Sequence, residues 1–438
     1  MSETVDRLFV RCRELVTLTD GAPTGARHTE QMRALGVIKD GAVAVKDGRI
    51  VAVGTTDEIA AAYRAPEELD LDGFVVMPGF VDCHTHPVFA ETREQEFHMR
   101  CAGADYMAIA QAGGGILSSM RGVRGASLEV LTDRTEQHLW RFLENGITTI
   151  EAKGGYGLSL ESEQKSMQAL ADAAALVPLN LKRTFLGAHE FPPEYREDRD
   201  EYVRVVCEEM IPALAPMADY CDVFAEPGVF NKEQSERVLQ AALDAGLRLR
   251  VHADEIQPMG GAELAVALGA DSADHLGQIS DAGIAAMAAS DTTGVLLPGT
   301  IFFLAKAGYA PARKMIDAGC AVALATDFNP GSSHTQSMTM IHTIACTQMK
   351  MSVEECVVAS TINPAFSLQL DQEVGTLHPG KRADLCVLDV PSHQALGYAF
   401  GGNPVAMTIK DGVPVVANVA DRQPDWFGDG VVLDGDGE

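Results

Sequence analysis

Short apolar runs that end in polar residues recur along the middle of the chain, and this repetition constrains the fold more than any other feature. Stretches of helical composition separate the runs, which include 147–151, 184–189, 221–224, 247–251, 272–274, 294–297 and 321–326. With the run before His84 they make about eight strand–helix units, the number found in a closed (β/α)₈ barrel. We therefore predict an α/β fold of the TIM-barrel type.

Two histidines follow the first run, in the segment MPGFVDCHTHP at residues 77–87. Residues i and i+2 of a strand share one face, so His84 and His86 can hold one ion together. An HxH pattern also arises by accident at a strand end. His252, His275 and Asp327 end later runs, and the carboxyl ends of barrel strands meet at one pocket. We expect these five side chains to converge there.

The two ends of the chain are similar in kind. Residues 8–76 hold short β-rich pieces, including an alternating hairpin over 41–54 with an Asp-Gly turn. Residues 380–389 and 405–416 again suggest short strands about turns. We expect both ends to fold together as a small β-sandwich flanking the barrel. The expected limits are 1–76 and 374–438 for the sandwich and 77–373 for the barrel.

Composition narrows the range of partners. The chain has 62 Asp and Glu against 34 Lys and Arg, a net charge of −28, which disfavours nucleic acid and anionic membranes. The absence of an apolar span of about 18 residues and of a leader pattern argues against membrane insertion and secretion. The nine cysteines form no CxxC pair, which favours a reducing cytoplasm. An anionic substrate would need a local cation in the pocket.

The order of these polar residues along the chain resembles that of the amidohydrolase superfamily. Within that superfamily, the chain resembles the imidazolonepropionase family almost from end to end. The stretches that carry the resemblance are PGFVDCHTHPVFAETREQEF, AGGGI, GITTIEAKGGYGL, TFLGAHEFPPEY, CEEMIPALA, CDVFAEPGVF, HADEIQPMGGAELA, SADHLG and ALATDFNPGSSHTQSM. The family usually has SGYGL where this chain has GGYGL, and often proline or valine at His334. The resemblance implies hydrolysis of the ring C–N bond of 4-imidazolone-5-propanoate to N-formimidoyl-L-glutamate, in histidine degradation.

The resemblance also implies one divalent metal ion, zinc or iron, with His84, His86, His252 and Asp327 as ligands. Binuclear members use a modified lysine near the end of the fourth strand, and residues 221–226 contain none. A mononuclear site is therefore expected, with Glu226 as an alternative route to a second ion. Lys153 follows the second strand and is expected to be a structural ion-pair partner.

Further roles follow from the resemblance. Asp327 would also transfer the proton of the attacking water, His275 would stabilise the oxyanion, and Glu255 would bond a ring N–H or carry a proton. Arg93 would bind the propanoate in a two-point fork. The remaining expected substrate contacts are Tyr156, His189, Asn329, Gly331 and Ser332. From the residues alone, Arg93 also fits a solvated surface arginine and Glu255 a surface salt bridge. A homodimer is expected.

Two rival functions share these features. A cyclic-amidine deaminase of the same superfamily would have the same metal site but would not need Arg93, Tyr156 and His189 together. A non-catalytic barrel that only binds a partner should have lost a metal ligand, and none is lost.

The run Gly113-Gly114-Gly115 lacks the Lys-Ser/Thr of a phosphate loop, so a hinge or tight substrate loop is expected. The methionines between 338 and 351 are expected to fill a helix core.

Overall fold

A computed structural model of the chain describes residues 2–104, 108–109 and 113–418. Its strands are β1 (Glu3–Thr4), β2 (Arg7–Val16), β3 (Val37–Lys46), β4 (Arg49–Thr55), β5 (Tyr63–Arg64), β6 (Glu67–Asp70), β7 (Val75–Pro78), β8 (Phe80–Asp82), β9 (Ile147–Lys153), β10 (Asn180–Ala188), β11 (Tyr220–Ala225), β12 (Arg248–Ala253), β13 (Ser272–His275), β14 (Thr293–Leu296), β15 (Val322–Leu324), β16 (Leu385–Leu388), β17 (Val405–Lys410) and β18 (Val413–Ala417).

The α-helices lie mainly between the strands of the middle segment. They are α1 (Thr56–Ala62), α2 (Glu94–Cys101), α3 (Ile116–Gly125), α4 (Leu128–Glu144), α5 (Leu160–Ala174), α6 (Arg199–Val205), α7 (Ile211–Leu214), α8 (Lys232–Asp244), α9 (Gly261–Ala267), α10 (Asp281–Ala288), α11 (Pro298–Phe303), α12 (Ala312–Ala318), α13 (Met338–Met349), α14 (Val353–Ala359) and α15 (Ile362–Ser367). Shorter 3₁₀ turns span Thr29–Arg33, Pro193–Tyr195, Ala215–Met217 and His393–Ala395, and a π-helical turn spans Val206–Met210.

The predicted (β/α)₈ barrel is confirmed. Strands β8 to β15 form one eight-stranded sheet in which each strand lies beside the next in the sequence, and every pair is parallel. The first and last strands meet just beyond their ends, where Thr85 and Phe328 form a parallel bridge and the Asp327 amide donates to the His84 carbonyl at 3.1 Å. The segments that carry the predicted ligands therefore lie side by side.

Local sequence accounts for these elements. All seven residues of β9 are buried, as expected of a parallel strand covered on both faces. Helix α4 begins at Ser127, whose side chain accepts from the Val130 amide, a typical N-cap. Its buried Leu131, Leu139 and Phe142 recur at the spacing of one helix face, which packs on the barrel.

Both ends of the chain contribute to a second sheet, as predicted. Its main strand order is β18-β17-β16-β7-β2-β3-β4, with β6 also beside β2, so the late strand β16 pairs antiparallel with the early strand β7. The predicted Asp-Gly hairpin joins β3 and β4: Lys46 pairs with Arg49, and Asp47 and Gly48 have φ angles of 52° and 72°. Two positive φ angles are those of a type I′ turn. The exact domain limits stay a prediction.

Two further points concern the helices: the methionines around α13 and the apolar character of the helices. Met338, Met349 and Met351 are buried in the main core, as expected, whereas Met340 is half-buried. Within the described part of the chain, no helix combines the length and the apolar character that crossing a lipid bilayer requires.

Candidate metal centre

Four histidines meet at the carboxyl end of the barrel. The ring centroid of His252 lies 4.5 Å from that of His84, 5.5 Å from that of His86 and 5.1 Å from that of His275. They come from three segments of the sequence, at 84–86, 252 and 275, and are all buried. Asp327 joins them after β15, with Oδ1 3.6 Å from Nε2 of His84 and 3.5 Å from Nε2 of His86. The five side chains that the sequence predicts to converge do so.

Two overlapping groups of donor atoms in this cluster are able to hold a metal ion. One is His84, His86 and Asp327, the other His84, His252 and His275, and within each group the donor atoms lie within 4.8 Å of one another. Imidazole nitrogen with carboxylate oxygen suits zinc or ferrous iron. His275 is thus a further donor candidate beside the four ligands predicted from the sequence.

The protonation pattern of His84 tests this fit. Its Nδ1 lies 2.6 Å from Oδ2 of Asp274, which places the ring proton on Nδ1 and leaves a lone pair on Nε2. That lone pair faces Nε2 of His86 at 3.3 Å and Oδ1 of Asp327. The His84 lone pair and Oδ1 of Asp327 are both acceptors that repel each other, and a cation between them relieves the repulsion. The donor set therefore fits a metal ion.

A second carboxylate orients His252 in the same way. Oδ2 of Asp222 lies 2.9 Å from Nδ1 of His252, so the Nε2 atom of His252 is the one left for the cluster. Carboxylates behind metal-binding histidines set the tautomer and raise ligand basicity. Neither Asp222 nor Asp274 is among the site residues predicted from the sequence. The available signal was a single carboxylate inside an apolar run, at 221–224 and at 272–274.

Beneath the histidines lies a buried ionic network. Nζ of Lys153 is 2.9 Å from Oδ2 of Asp222 and 2.8 Å from Oε1 of Glu151, so Lys153 is an ion-pair partner, as expected. Burial opposes its charged form, but Asp222 and Glu151 raise the pKa of Lys153 above its ordinary value. Arg250 donates to the Cys83 carbonyl at 2.8 Å. These cations compensate the carboxylates that orient the histidines.

Burial sets the protonation of the site. It lowers the pKa of His84, His86 and His275 well below the usual value, and neutral imidazole is the form that binds metals. At His252, Asp222 outweighs burial and raises the pKa. Burial raises the pKa of Asp327 to about 7, although the Thr300 hydroxyl, which donates to Oδ2, opposes this rise.

The expected substrate contacts His189 and Tyr156 flank His86. The His189 ring stacks on His86 with centroids 5.2 Å apart, and its Nδ1 lies 2.9 Å from the Gly155 carbonyl. The Tyr156 ring is 5.3 Å from that of His189. Burial raises the pKa of Tyr156 while the charge of Arg93 opposes the rise. The buried Glu163 fixes the Tyr156 loop by accepting from three backbone amides, those of Gly155, Gly157 and Leu158.

Asn329, Gly331 and Ser332 form a tight turn after Asp327. The Asn329 side chain accepts from the amides of Gly331 at 2.8 Å and Ser332 at 2.7 Å, and donates to the Asp327 carbonyl at 2.7 Å. Asp327 itself has a φ of 53°, and His275 one of 73°. Such left-handed conformations are strained for residues with a Cβ and persist where the surrounding contacts enforce them.

The two glutamates considered in the sequence have different environments. Oε2 of Glu255 lies 3.6 Å from Nε2 of His275, and burial raises the pKa of Glu255. Glu226 instead accepts from the amides of Ile256 at 3.1 Å and Gln257 at 2.9 Å. Among the described residues it belongs to neither donor group. His334 packs on Phe328 with ring centroids 5.2 Å apart.

Arg93 lies beside the turn at Gly331 and not within the histidine cluster. A Cβ built on Gly331 would fall 2.2 Å from its Nη1. Its guanidinium is paired with Glu96, with Nε 2.8 Å from Oε1 and Nη2 2.8 Å from Oε2. The ion pair between Arg93 and Glu96 is not among the contacts predicted from the sequence. The three-residue spacing at a helix start was the only signal for it.

Comparison with known proteins places the chain. Residues 75–415 match the amidohydrolase family, and residues 41–65 match the imidazolonepropionase-like composite domain of bacteria. The imidazolonepropionase of Geobacillus kaustophilus (strain HTA426) is 47% identical over 416 residues, which cover 93% of this chain and 98% of that protein. The imidazolonepropionase of Porphyromonas gingivalis (strain ATCC 33277) is 45% identical over 95% of this chain and 100% of that protein.

Solved structures agree on the fold. An adenosine deaminase from Xanthomonas campestris, solved with bound zinc, superposes with a TM-score of 0.72 at 20% identity, covering 95% of this chain and 94% of that one. The guanine deaminase of E. coli gives a TM-score of 0.71 at 16% identity, covering 94% and 100%. At such identities the likeness speaks for the fold alone. The family match and the near full-length relatives together establish that the chain belongs to the amidohydrolase family and, within it, to the imidazolonepropionases.

Proposed function

We propose that this chain hydrolyses the ring C–N bond of 4-imidazolone-5-propanoate and releases N-formimidoyl-L-glutamate. The observation that carries the proposal is the identity of 44–47% with curated imidazolonepropionases over nearly the whole chain. The buried cluster of histidines and Asp327 at the barrel mouth supports it, because hydrolysis of an unactivated cyclic amide needs a strong nucleophile at neutral pH.

The proposed cofactor is one divalent ion, zinc or iron, held by His84, His86, His252 and Asp327. When bound, such an ion makes water nucleophilic by lowering its pKa toward ~7. Asp274 and Asp222 keep the Nδ1 protons of His84 and His252, so that both Nε2 atoms remain donors. One ion is favoured because residues 221–226, at the fourth strand, contain no lysine, and because Lys153 of the second strand is already paired with Asp222 and Glu151.

Proton transfer is assigned to Asp327. Its Oδ2 accepts from the Thr300 hydroxyl, while Oδ1 faces the two histidines of the HxH segment. A carboxylate held this way can take the proton of the attacking water and return it to the ring nitrogen as the C–N bond breaks. In this proposal, His275 donates to the oxyanion on the ring carbonyl. Glu255, which lies beside His275, accepts from a ring N–H.

Location and assembly stay predictions: a homodimer, a cytoplasmic setting, and the domain limits 1–76, 77–373 and 374–438. All nine cysteines are free thiols, which supports a reducing compartment.

Product analysis separates the proposal from its deaminase rival. We expect the metal-loaded chain to convert 4-imidazolone-5-propanoate to N-formimidoyl-L-glutamate with a kcat of about 1–10³ s⁻¹, the usual range for enzymes. Ring opening releases no ammonia, whereas a deaminase must. Mass spectrometry and an ammonia assay on one sample measure both products, with chelator-treated protein as the control. Ammonia release from a cyclic amidine, without ring opening of the imidazolone, would refute the proposal.

A second test concerns the carboxylate of the substrate. Arg93→Met should lower kcat/KM for 4-imidazolone-5-propanoate about 10²-fold, because each hydrogen bond to a charged group contributes about 1.5–3 kcal/mol. A ring analogue without the carboxylate should lose less than about threefold, since it never made those hydrogen bonds. Arg93→Lys should recover the loss only in part, because an ammonium lacks the fork.

The matched control is Arg134→Met, which removes an exposed arginine that lines the same cavity of about 560 Å³ as Arg93. We expect it to leave both substrates nearly unchanged. An equal loss of kcat/KM for the two compounds in Arg93→Met would show that Arg93 does not bind the propanoate.

A further inference from the structure

Among the described residues, Arg93 uses one of its two hydrogen-bonding edges. Glu96 takes the edge formed by Nε and Nη2, at 2.8 Å for each contact. A guanidinium carries five N–H groups, so the end formed by Nη1 and Nη2 is a second edge that can bind a carboxylate by two hydrogen bonds. The two side chains are 13% and 9% exposed, which makes this pair different from a solvated surface ion pair.

The guanidinium of Arg93 packs on the turn that follows the proposed ligand Asp327. A Cβ on Gly331 would lie 2.2 Å from Nη1 and 2.3 Å from Cζ of Arg93. Any side chain there would push the guanidinium away, because real Cβ atoms do not approach so closely. The amide of Gly331 is held by Asn329. Arg93 therefore packs against a glycine whose position is tied to the metal centre.

Glu96 is itself fixed by the run Gly113-Gly114-Gly115, for which the sequence predicts a hinge or tight substrate loop. Its Oε1 accepts from the Gly115 amide at 2.9 Å, and a Cβ on Gly114 would lie 3.0 Å from its Cδ and Oε1. Gly115 has a φ of 85°, a conformation that favours glycine. Gly114 and Gly115 thus enclose the carboxylate and leave it little freedom.

We propose that Glu96 is a positioning residue that holds one edge of Arg93 so that the other edge is presented to the carboxylate of the substrate. This inference rests on the proposed function. A free arginine side chain loses several rotatable bonds when it binds an anion, and one that is already held loses less. The substrate carboxylate then binds beside Glu96 and does not displace it.

The opposite role for Glu96 predicts the opposite sign. If its negative charge only competed with the substrate for Arg93, neutralising it would strengthen substrate binding. If it positions Arg93, neutralising it weakens binding, because the amide of glutamine accepts from one N–H and opposes the other. The direction of the change in KM therefore decides between the two roles.

The kinetic test compares three variants. Glu96→Gln should raise KM for 4-imidazolone-5-propanoate about tenfold with kcat within about twofold, and should leave the analogue without a carboxylate unaffected. Glu96→Asp keeps the charge but is one methylene too short, and should also raise KM. Glu94→Gln is the control, because Glu94 is exposed, lines the same cavity and accepts from Thr92. An unchanged or lowered KM in Glu96→Gln overturns the proposal.

A second measurement does not depend on turnover. Phenylglyoxal modifies free guanidinium groups, and peptide mass spectrometry gives the rate at Arg93 alone. We expect Glu96→Gln to raise that rate at least about fivefold and Glu94→Gln to leave it unchanged. Equal rates in wild type and Glu96→Gln would mean that the pair does not hold Arg93 in solution and would overturn the inference. A wild-type chain that is inactive on the imidazolone yet shows the rate difference would refute the proposed substrate and leave the positioning role standing.

Discussion

Replacing His252 with alanine is expected to remove both the metal and the activity. His252 lies close to the three other histidines of the cluster, since its ring lies 4.5 Å from that of His84, 5.5 Å from that of His86 and 5.1 Å from that of His275. Without it a proposed ligand is lost, and Asp222 loses one partner while it keeps its ion pair with Lys153. We expect less than about a tenth of the wild-type metal content and a fall in kcat/KM of at least about 10⁴-fold.

Elemental analysis and turnover on the same preparation measure this effect. His342→Ala is the matched control, because His342 is a buried histidine that contacts Ser360 and lies outside the cluster. Asp222→Asn should show an intermediate result, with metal affinity about 10–100-fold weaker, since it removes the charged partner of His252 and Lys153 but no proposed ligand. Thermal melting checks that each variant folds. Full metal content with wild-type turnover in His252→Ala would remove this residue from the ligand set.

The barrel could be predicted because its strands are short, apolar and end in polar residues. The convergence of His84, His252 and Asp327 then follows from closure alone, since the carboxyl ends of all strands lie at one mouth. The flanking sheet could be predicted from turn chemistry, as at Asp47-Gly48, where the hairpin has the expected two-residue turn. Local patterns of this kind carry their own physical reason and need no knowledge of distant contacts.

The partners of these residues could not be predicted in the same way. That Asp274 faces His84, 190 positions away, depends on the twist and stagger of the barrel, which no single run encodes. The same holds for Lys153 and Asp222. In each case the sequence contains a charged residue in an apolar run. Such a residue indicates a buried charge that must be compensated, but it does not indicate which partner compensates it.

Arg93 shows a different limit. Its position in the loop after β8 follows from the order of the runs, and the spacing to Glu96 permits a helical ion pair. Sequence alone does not distinguish a solvated pair from one packed between Gly114 and Gly331. The difference lies in burial, and burial decides whether the pair matters for substrate binding.

Replacing Asp327 with asparagine separates metal binding from proton transfer. The amide oxygen can still face His84 and His86, with the amide NH₂ turned toward the Thr300 hydroxyl oxygen, which can accept from it, so we expect part of the metal to remain. A neutral amide cannot take the proton of the attacking water, and kcat should fall about 10²–10⁴-fold. The loss should persist at saturating metal, because it comes from the missing base and not from an empty site.

Asp82→Asn is the control for Asp327→Asn. Asp82 is also a buried carboxylate whose pKa burial raises to about 7, and it also contacts a threonine, Thr326, but it lies below the donor atoms. We expect Asp82→Asn to keep both metal and kcat. Turnover measured with added zinc or ferrous iron, together with the pH dependence of kcat, distinguishes the variants. Near-normal kcat in Asp327→Asn would move the base to Glu255, whose side chain is 13% exposed and lies beside His275, and Glu255→Gln should then show the loss expected for Asp327.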